Sequence, residues 1–183
     1  MFITVKELEL RKVLFDEAFP PRAIDLGQEV EQTAPLLAAG RVEMVREDRG
    51  GKDIVDDIRL VGKFSTKLVL PCSRCLEPVA HAVAESFDLI YRPLGADASG
   101  KDTSIGLAEM EIGYYEGDGI LLEDVLKEQV LLALPVKLLC RADCQGLCPH
   151  CGSNRNTESC NCASNASDPR WTALGDIRKK LER

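Results

Sequence analysis

Residues 63–91 open with Lys63-Phe64-Ser65-Thr66-Lys67-Leu68-Val69-Leu70, turn through Pro71-Cys72-Ser73-Arg74-Cys75-Leu76-Glu77-Pro78, and continue from Val79 to Tyr91. The first block alternates apolar and polar side chains with period two, the pattern of a strand that buries one face. The last block alternates again, with Val79, Val83, Phe87, Leu89 and Tyr91 as its apolar positions. The segment between them is bracketed by two prolines, which cannot donate to a ladder. The stretch predicts a strand, a short connection carrying two cysteines, and a returning antiparallel strand. Such a hairpin is a rigid mount, because both thiols leave one turn whose ends are held by paired strands.

The pattern extends outward on both sides. Upstream, Arg41-Val42-Glu43-Met44-Val45-Arg46 alternates, Asp48 to Lys52 is turn chemistry, and Asp57 to Val61 resumes as a strand, with Gly62 expected at a bulge or bend. These strands predict an antiparallel meander curled into a small barrel-like sheet. The first forty residues are less regular. Val5 to Leu10 alternates like a half-buried strand, with a helical turn as the alternative, and Phe19-Pro20-Pro21 ends whatever precedes it. Downstream, Pro93 to Leu107 loses periodicity and predicts a long loop. Glu109 to Glu116 predicts one more strand, with Met110, Ile112 and Tyr114 alternating, and Ile120 to Leu134 a helix. Glu123 and Asp124 suit that helix's N-terminal dipole, Pro135 lies past its end, and Leu121, Leu122, Val125, Leu126, Val130 and Leu132 form its core face. Residues 163–167 read as a polar linker. Asp168 and Pro169 then cap and start a last helix, with Trp171, Leu174, Ile177 or Arg178, and Leu181 on one face and Trp171 as its anchor.

Eight cysteines fall in four close pairs: Cys72 with Cys75, Cys140 with Cys144, Cys148 with Cys151, and Cys160 with Cys162. Thiolate pairs at these spacings converge two at a time on a tetrahedral ion. Zinc is the usual occupant and iron the alternative, and eight sulfurs make two sites. Cys148-Pro149-His150-Cys151-Gly152 is the strongest piece, a knuckle whose proline and glycine turn the backbone so that both sulfurs face one point. A disulfide framework is the competing reading, but it belongs to secreted chains, and Met1 to Leu10 carries Lys6, Glu7 and Glu9 where a signal peptide is apolar. Two divisions fit. In the first, Cys148, Cys151, Cys160 and Cys162 form a self-contained site, and Cys72 and Cys75 are completed by Cys140 and Cys144. In the second, Cys140, Cys144, Cys148 and Cys151 chelate together and the other pairs are left less well matched. The first is preferred, since Cys140 follows a helix expected to pack on the sheet. His150 inside the knuckle is assigned to the surface, and His81 to an ordinary strand position.

Closed four-sulfur sites leave no open position for water, so both read as structural. The sequence has no Gly-rich phosphate loop and no H-E-x-x-H, and with two histidines no nucleophile–base pair stands out. The expectation is a protein that is not an enzyme and takes no small-molecule substrate. The formal net charge is −7, which argues against bulk electrostatic binding of nucleic acid. Residues 137–183 carry eight Lys/Arg against five Asp/Glu, a surplus of three that leaves −10 on residues 1–136. Four thiolates around one zinc add a net −2, so a loaded tail is nearly neutral and any RNA contact is local. Arg170, Arg178, Lys179, Lys180 and Arg183 are the candidate RNA or partner contacts, against the plainer role of a solvated basic helix end. The longest apolar region, Ile120 to Val136, is broken by Glu123, Asp124, Lys127 and Glu128, so no membrane span is expected and the location expected is cytoplasmic.

Several motifs together resemble the bacterial and plastid family called YceD, the large ribosomal RNA subunit accumulation protein. They are Pro71-Cys72-Ser73-Arg74-Cys75-Leu76, Leu132-Ala133-Leu134-Pro135-Val136, the run from Cys140 to Gly152, Asn154 and Asn156, Cys160-Asn161-Cys162, and Asp168-Pro169-Arg170-Trp171 with Ala173-Leu174. The resemblance implies a role in synthesis, processing or stability of large-subunit (23S) rRNA, without catalysis. It implies as partner the large-subunit rRNA precursor or a basic large-subunit ribosomal protein. Some relatives lack the tail knuckle but keep a pair like Cys72 and Cys75, which favours the first division. The reading is therefore a ribosome biogenesis factor, with a direct zinc-ribbon RNA binder and a thiol redox sensor using Cys72 and Cys75 as alternatives. The fold class is α+β: a curled antiparallel sheet or partial barrel with a packed helix over residues 1–139, then a zinc-ribbon-like cysteine segment and terminal helix over 140–183.

Overall fold

A computed structural model of the chain describes residues 1–48, 54–96, 112–162 and Ile177. Its axis is an 18-residue strand, β5 (Ile54–Pro71), whose even-numbered residues Ile58, Leu60, Phe64, Thr66, Leu68 and Leu70 are buried. Alternation of this kind forms a strand because every second side chain leaves water on the same face. β4 (Leu36–Asp48) lies antiparallel on one side of it, and β6 (Pro78–Pro93) on the other. β2 (Val13–Phe19) adds to β4, and the two-residue β3 (Glu31–Gln32) pairs with β5 beyond the end of β4. β7 (Ile112–Tyr115) adds to β6, giving the order β2-β4-β5-β6-β7.

Several expectations are corrected here. The sheet is open rather than barrel-like: β2 and β7 are its two edges and are not paired with each other among the described residues. Gly62 marks no bulge. The β4–β5 and β5–β6 registers run unbroken through it, and it sits in a row Phe15, Gly40, Gly62, Phe87 across four strands. The rings of Phe15 and Phe87 occupy the space that a Cβ would take at the two glycines. β7 is parallel to β6, not another antiparallel turn of the meander, and Tyr115 rather than Tyr114 is its buried ring. Val5–Leu10 is the helix α1, not a strand: the Thr4 hydroxyl accepts from the Glu7 N–H at 3.2 Å, and Leu8 is buried. Residues 97–111, most of the expected loop, and the last helix lie outside the described residues apart from Ile177.

The expected helix of 120–134 is shorter. Gly119–Leu121 forms β8, which pairs with β1 (Phe2–Thr4), and α2 spans Leu122–Leu132. Leu122, Val125, Leu126 and Val130 are buried in one cluster with the inner face of the sheet, whereas Leu121 and Leu132 are exposed. At the far end of the sheet Arg92 forks onto Asp57, Nη2 to Oδ2 at 2.9 Å and Nε to Oδ1 at 3.1 Å, with both side chains buried. None of the described helices is long and apolar enough to cross a membrane.

Candidate metal centres

β5 and β6 hold the ends of the connection 72–77, and within it the Cys72 N–H donates to the Glu77 carbonyl at 2.8 Å. Leu76 completes the turn with φ +63°, a left-handed conformation that is uncommon for a large side chain. The chain returns beside this hairpin after α2. Ser73 N–H donates to the Leu138 carbonyl at 2.8 Å, and Leu138 N–H donates to Ser73 Oγ at 3.1 Å. Arg74 then ties down the next turn, its carbonyl accepting from Leu147 N–H at 3.0 Å and its guanidinium donating to the Cys144 carbonyl at 2.8 Å. Gly146 (φ +71°) packs against that Arg74 carbonyl, which a Cβ would meet at 3.0 Å.

The consequence is that Cys72, Cys75, Cys140 and Cys144 converge, with every sulfur within 4.8 Å of the others. Cys148, Cys151, Cys160 and Cys162 form a second group under the same limit. This grouping is the first of the two divisions. All eight cysteines are free. Sulfurs around one tetrahedral ion stand about 3.8 Å apart if each metal–sulfur distance is about 2.3 Å, while a disulfide needs about 2.05 Å. Cys72 and Cys144 are 3.9 Å apart, and Cys75 and Cys140 3.6 Å, so the spacing fits a shared ion. The first group is the more enclosed: Cys72, Cys75 and Cys144 are buried, backed by Val79, Leu139 and Leu147, and only Cys140 is exposed. In the second, Cys148 is buried while Cys151 and Cys162 are exposed. His150 is exposed and His81 is half-buried in β6, and neither joins a cluster.

The electrostatics explain why such a group wants a cation. Burial pushes the Cys72 thiol up, but the N–H groups of Arg74, Cys75 and Cys140 outweigh it and hold it at about 6. Two of these donors lie at 3.5 Å (Arg74) and 3.4 Å (Cys140) from the sulfur. Burial also opposes ionisation of Cys144, yet the Asn156 side-chain amide and the Gly146 N–H lower it. Once these sulfurs are anionic their neighbours resist. Cys140 is pushed up to about 12, by burial first and then by the three other sulfurs. The Glu77 N–H pulls Cys75 down, but burial and the Cys72 sulfur leave it raised. In the second group the N–H groups of Cys151 and His150 hold Cys148 at about 6, and the Cys151 sulfur together with burial drives Cys162 up to about 12. Four thiolates in one pocket repel, and a divalent ion removes that cost.

Sequence reasoning had singled out the eight cysteines but not the groups that orient them. Arg74 and Asn156 donate to sulfurs of the first centre and Ser73 holds the Leu138 backbone beside it, and only their places inside the family-like motifs marked them. Trp171, Arg170, Arg178, Lys179, Lys180 and Arg183 lie outside the described residues. Of that segment Ile177 alone is described, as helical and exposed.

Comparison with known proteins places these cysteines within the span of one family's profile. The profile described as "Large ribosomal RNA subunit accumulation protein YceD" matches residues 60–178, a span holding all eight cysteines. The chain belongs to the YceD family. An uncharacterised protein of Mycobacterium tuberculosis is 29% identical over 143 residues, covering 78% of this chain and 66% of the relative. This YceD chain therefore spans just under two thirds of that relative's length. An uncharacterised Bacillus subtilis protein, YlbN, is 24% identical over 156 residues (85% and 81% covered). The Arabidopsis thaliana protein named large ribosomal RNA subunit accumulation protein YCED homolog 1, chloroplastic, is 23% identical over 146 residues (68% and 46%). No solved structure matches the chain.

Proposed function

We propose that this chain is a non-catalytic factor in biogenesis of the large ribosomal subunit, acting in the cytoplasm on or beside the 23S rRNA precursor. The observation that carries the reading is the family match, whose description names large-subunit rRNA accumulation and whose span contains both cysteine groups. In this reading Cys72, Cys75, Cys140 and Cys144 hold one structural zinc, and Cys148, Cys151, Cys160 and Cys162 a second, ribbon-like one. Zinc is favoured over iron because the sites are redox-silent scaffolds in the proposal, and zinc carries no redox chemistry. With four sulfurs on each ion no position is left for a substrate, which is the reason for assigning no catalysis. The charge division of the chain, −10 on residues 1–136 against +3 beyond, suits contact with a basic large-subunit ribosomal protein by the body and with RNA by the tail.

Deleting the gene in its own host tests this. Large-subunit rRNA should fall relative to small-subunit rRNA. The tagged protein should co-sediment with immature large-subunit particles, and the Cys148→Ser, Cys151→Ser variant should not. Undiminished large-subunit rRNA in the deletion strain would overturn the proposal. Elemental analysis of the reduced protein should find two zinc ions per chain.

A further inference from the structure

One loop, residues 152–159, joins the two centres. It runs from Cys151 to Cys160, both members of the second group, yet its side chains bond to the first. Asn156 Oδ1 accepts from Arg141 Nη2 and from the Gln145 N–H, both at 2.8 Å. Those partners can only donate, so the amide must turn its Nδ2 the other way. That nitrogen donates to Asn154 Oδ1 at 2.8 Å and to the Cys144 sulfur at 3.4 Å. Asn154 in turn donates through Nδ2 to Glu77 Oε1 at 3.1 Å. The relay begins at a guanidinium one residue past Cys140 and ends at a carboxylate two residues past Cys75. It thus clamps the two halves of the first centre against each other. Arg155 N–H to the Gly146 carbonyl (2.9 Å) and the Leu147–Asn154 bridge seat the loop in that position. Both ends of the loop are cysteines that an ion in the second centre would draw together.

We infer that the two centres load metal cooperatively, with Asn156 as the positioning residue that passes occupancy of the second centre to the first. Metal at Cys148, Cys151, Cys160 and Cys162 closes the loop and so presses the Asn156 amide onto Cys144. By linkage, metal in the first centre favours the second by the same factor. The inference rests on the reading that both groups hold zinc.

Site-resolved occupancy tests it: thiol alkylation with N-ethylmaleimide at a series of buffered free-zinc concentrations, followed by peptide mapping. In the Cys148→Ser, Cys151→Ser chain, half-protection of Cys72, Cys75, Cys140 and Cys144 should require about ten- to a hundredfold more free zinc, the usual effect of losing an outer-shell partner. Asn156→Ala should shift the midpoint by a similar factor, and combining the changes should add little. Asn156→Asp keeps an oxygen for Arg141 and Gln145 but loses the donor to sulfur. It should hold its circular dichroism spectrum at saturating zinc and still show the shift, which separates positioning from misfolding. An unchanged first-centre midpoint in the chain lacking the second centre would overturn the coupling and leave the two-zinc reading standing. Absence of protection at any zinc level in the wild type would overturn both.

Discussion

Gly40→Ala is the sharpest test of how the sheet is built. Gly40 pairs with Phe15 on one side and Gly62 on the other. A Cβ on Gly40 would lie 2.3 Å from the Val61 carbonyl oxygen, 2.7 Å from the Gly62 Cα and 2.7 Å from the Phe15 ring tip. Two opposing terms decide the outcome. Alanine removes unfolded-chain freedom, worth about 0.4–1 kcal/mol in favour of the variant. Overpacking costs about 1–3 kcal/mol or more, and here two of the obstacles are backbone atoms of a central strand, which no rotamer change can move aside. Sterics win, for a net loss of about 2–3 kcal/mol. Each kcal/mol lowers Tm by about 2–4 °C in a chain of this size. Gly62→Ala meets the Phe87 ring tip first, at 2.8 Å, with the Ala39 carbonyl at 3.0 Å, so more of its clash lies in a side chain and the loss should be smaller. Pairing Gly62→Ala with Phe87→Leu should then cost less than the sum of the two changes. Differential scanning calorimetry at saturating zinc reads these variants, Phe87→Leu alone and the wild type. A Gly40→Ala chain melting with or above the wild type would refute the packed row of rings and glycines.

Two further outcomes follow from groups elsewhere in the molecule. Zinc affinity of the first centre should climb at least about a hundredfold per pH unit near pH 7–8, about tenfold for each displaced proton, because Cys75 and Cys140 are raised and keep their protons there until metal displaces them. As pH falls toward 6 the Cys72 thiolate also gains a proton and the slope steepens; zinc-competition titrations at fixed pH measure it, and a flat profile would refute the protonation pattern. Asp57→Ala, which removes the carboxylate that the buried Arg92 guanidinium forks onto, should cost about 3–5 kcal/mol in urea unfolding, whereas Asp57→Leu with Arg92→Met should cost far less, and equal losses would refute the assignment.

What the sequence made legible tracks how locally each feature is determined. β5, the cysteine connection and β6 are readable because one long strand pair imposes strict alternation and two prolines bracket the turn. β2 escaped notice: after Val13 and Phe15 the pattern breaks at Asp16, Glu17 and Ala18, since an edge strand needs an apolar face only where it covers the core. Val5–Leu10 satisfies either period, and the Thr4 cap decides for a helix. The direction of β7 left no mark, because side-chain alternation is the same in parallel and antiparallel pairs. At the centres the cysteine spacing exposed every sulfur, but the donors that bias those sulfurs sit in loops whose positions depend on tertiary contacts. Asn156 and Arg74 look like ordinary polar residues until Cys144 is placed between them.

The separation of the two clusters has a mechanical consequence. The main core, from Ile3 to Val130, contains no cysteine, and the cluster of Cys72, Cys75 and Cys144 stands apart from it with three half-buried neighbours. The sheet and α2 can therefore bury their apolar surface without metal, and in doing so they hold Cys72 and Cys75 in place as half of a site. The segment from Cys140 to Cys162 has no comparable apolar store. Among its described residues only Leu147 packs in the small cluster alongside Cys144, and the segment is otherwise held by hydrogen bonds to the hairpin and within itself. Ordering some twenty residues costs about 1–2 kcal/mol of backbone entropy each, more than a half-buried leucine and a few net hydrogen bonds return. In the proposed function the balance comes from sulfur–metal bonds, and the hairpin fixes where the tail lands.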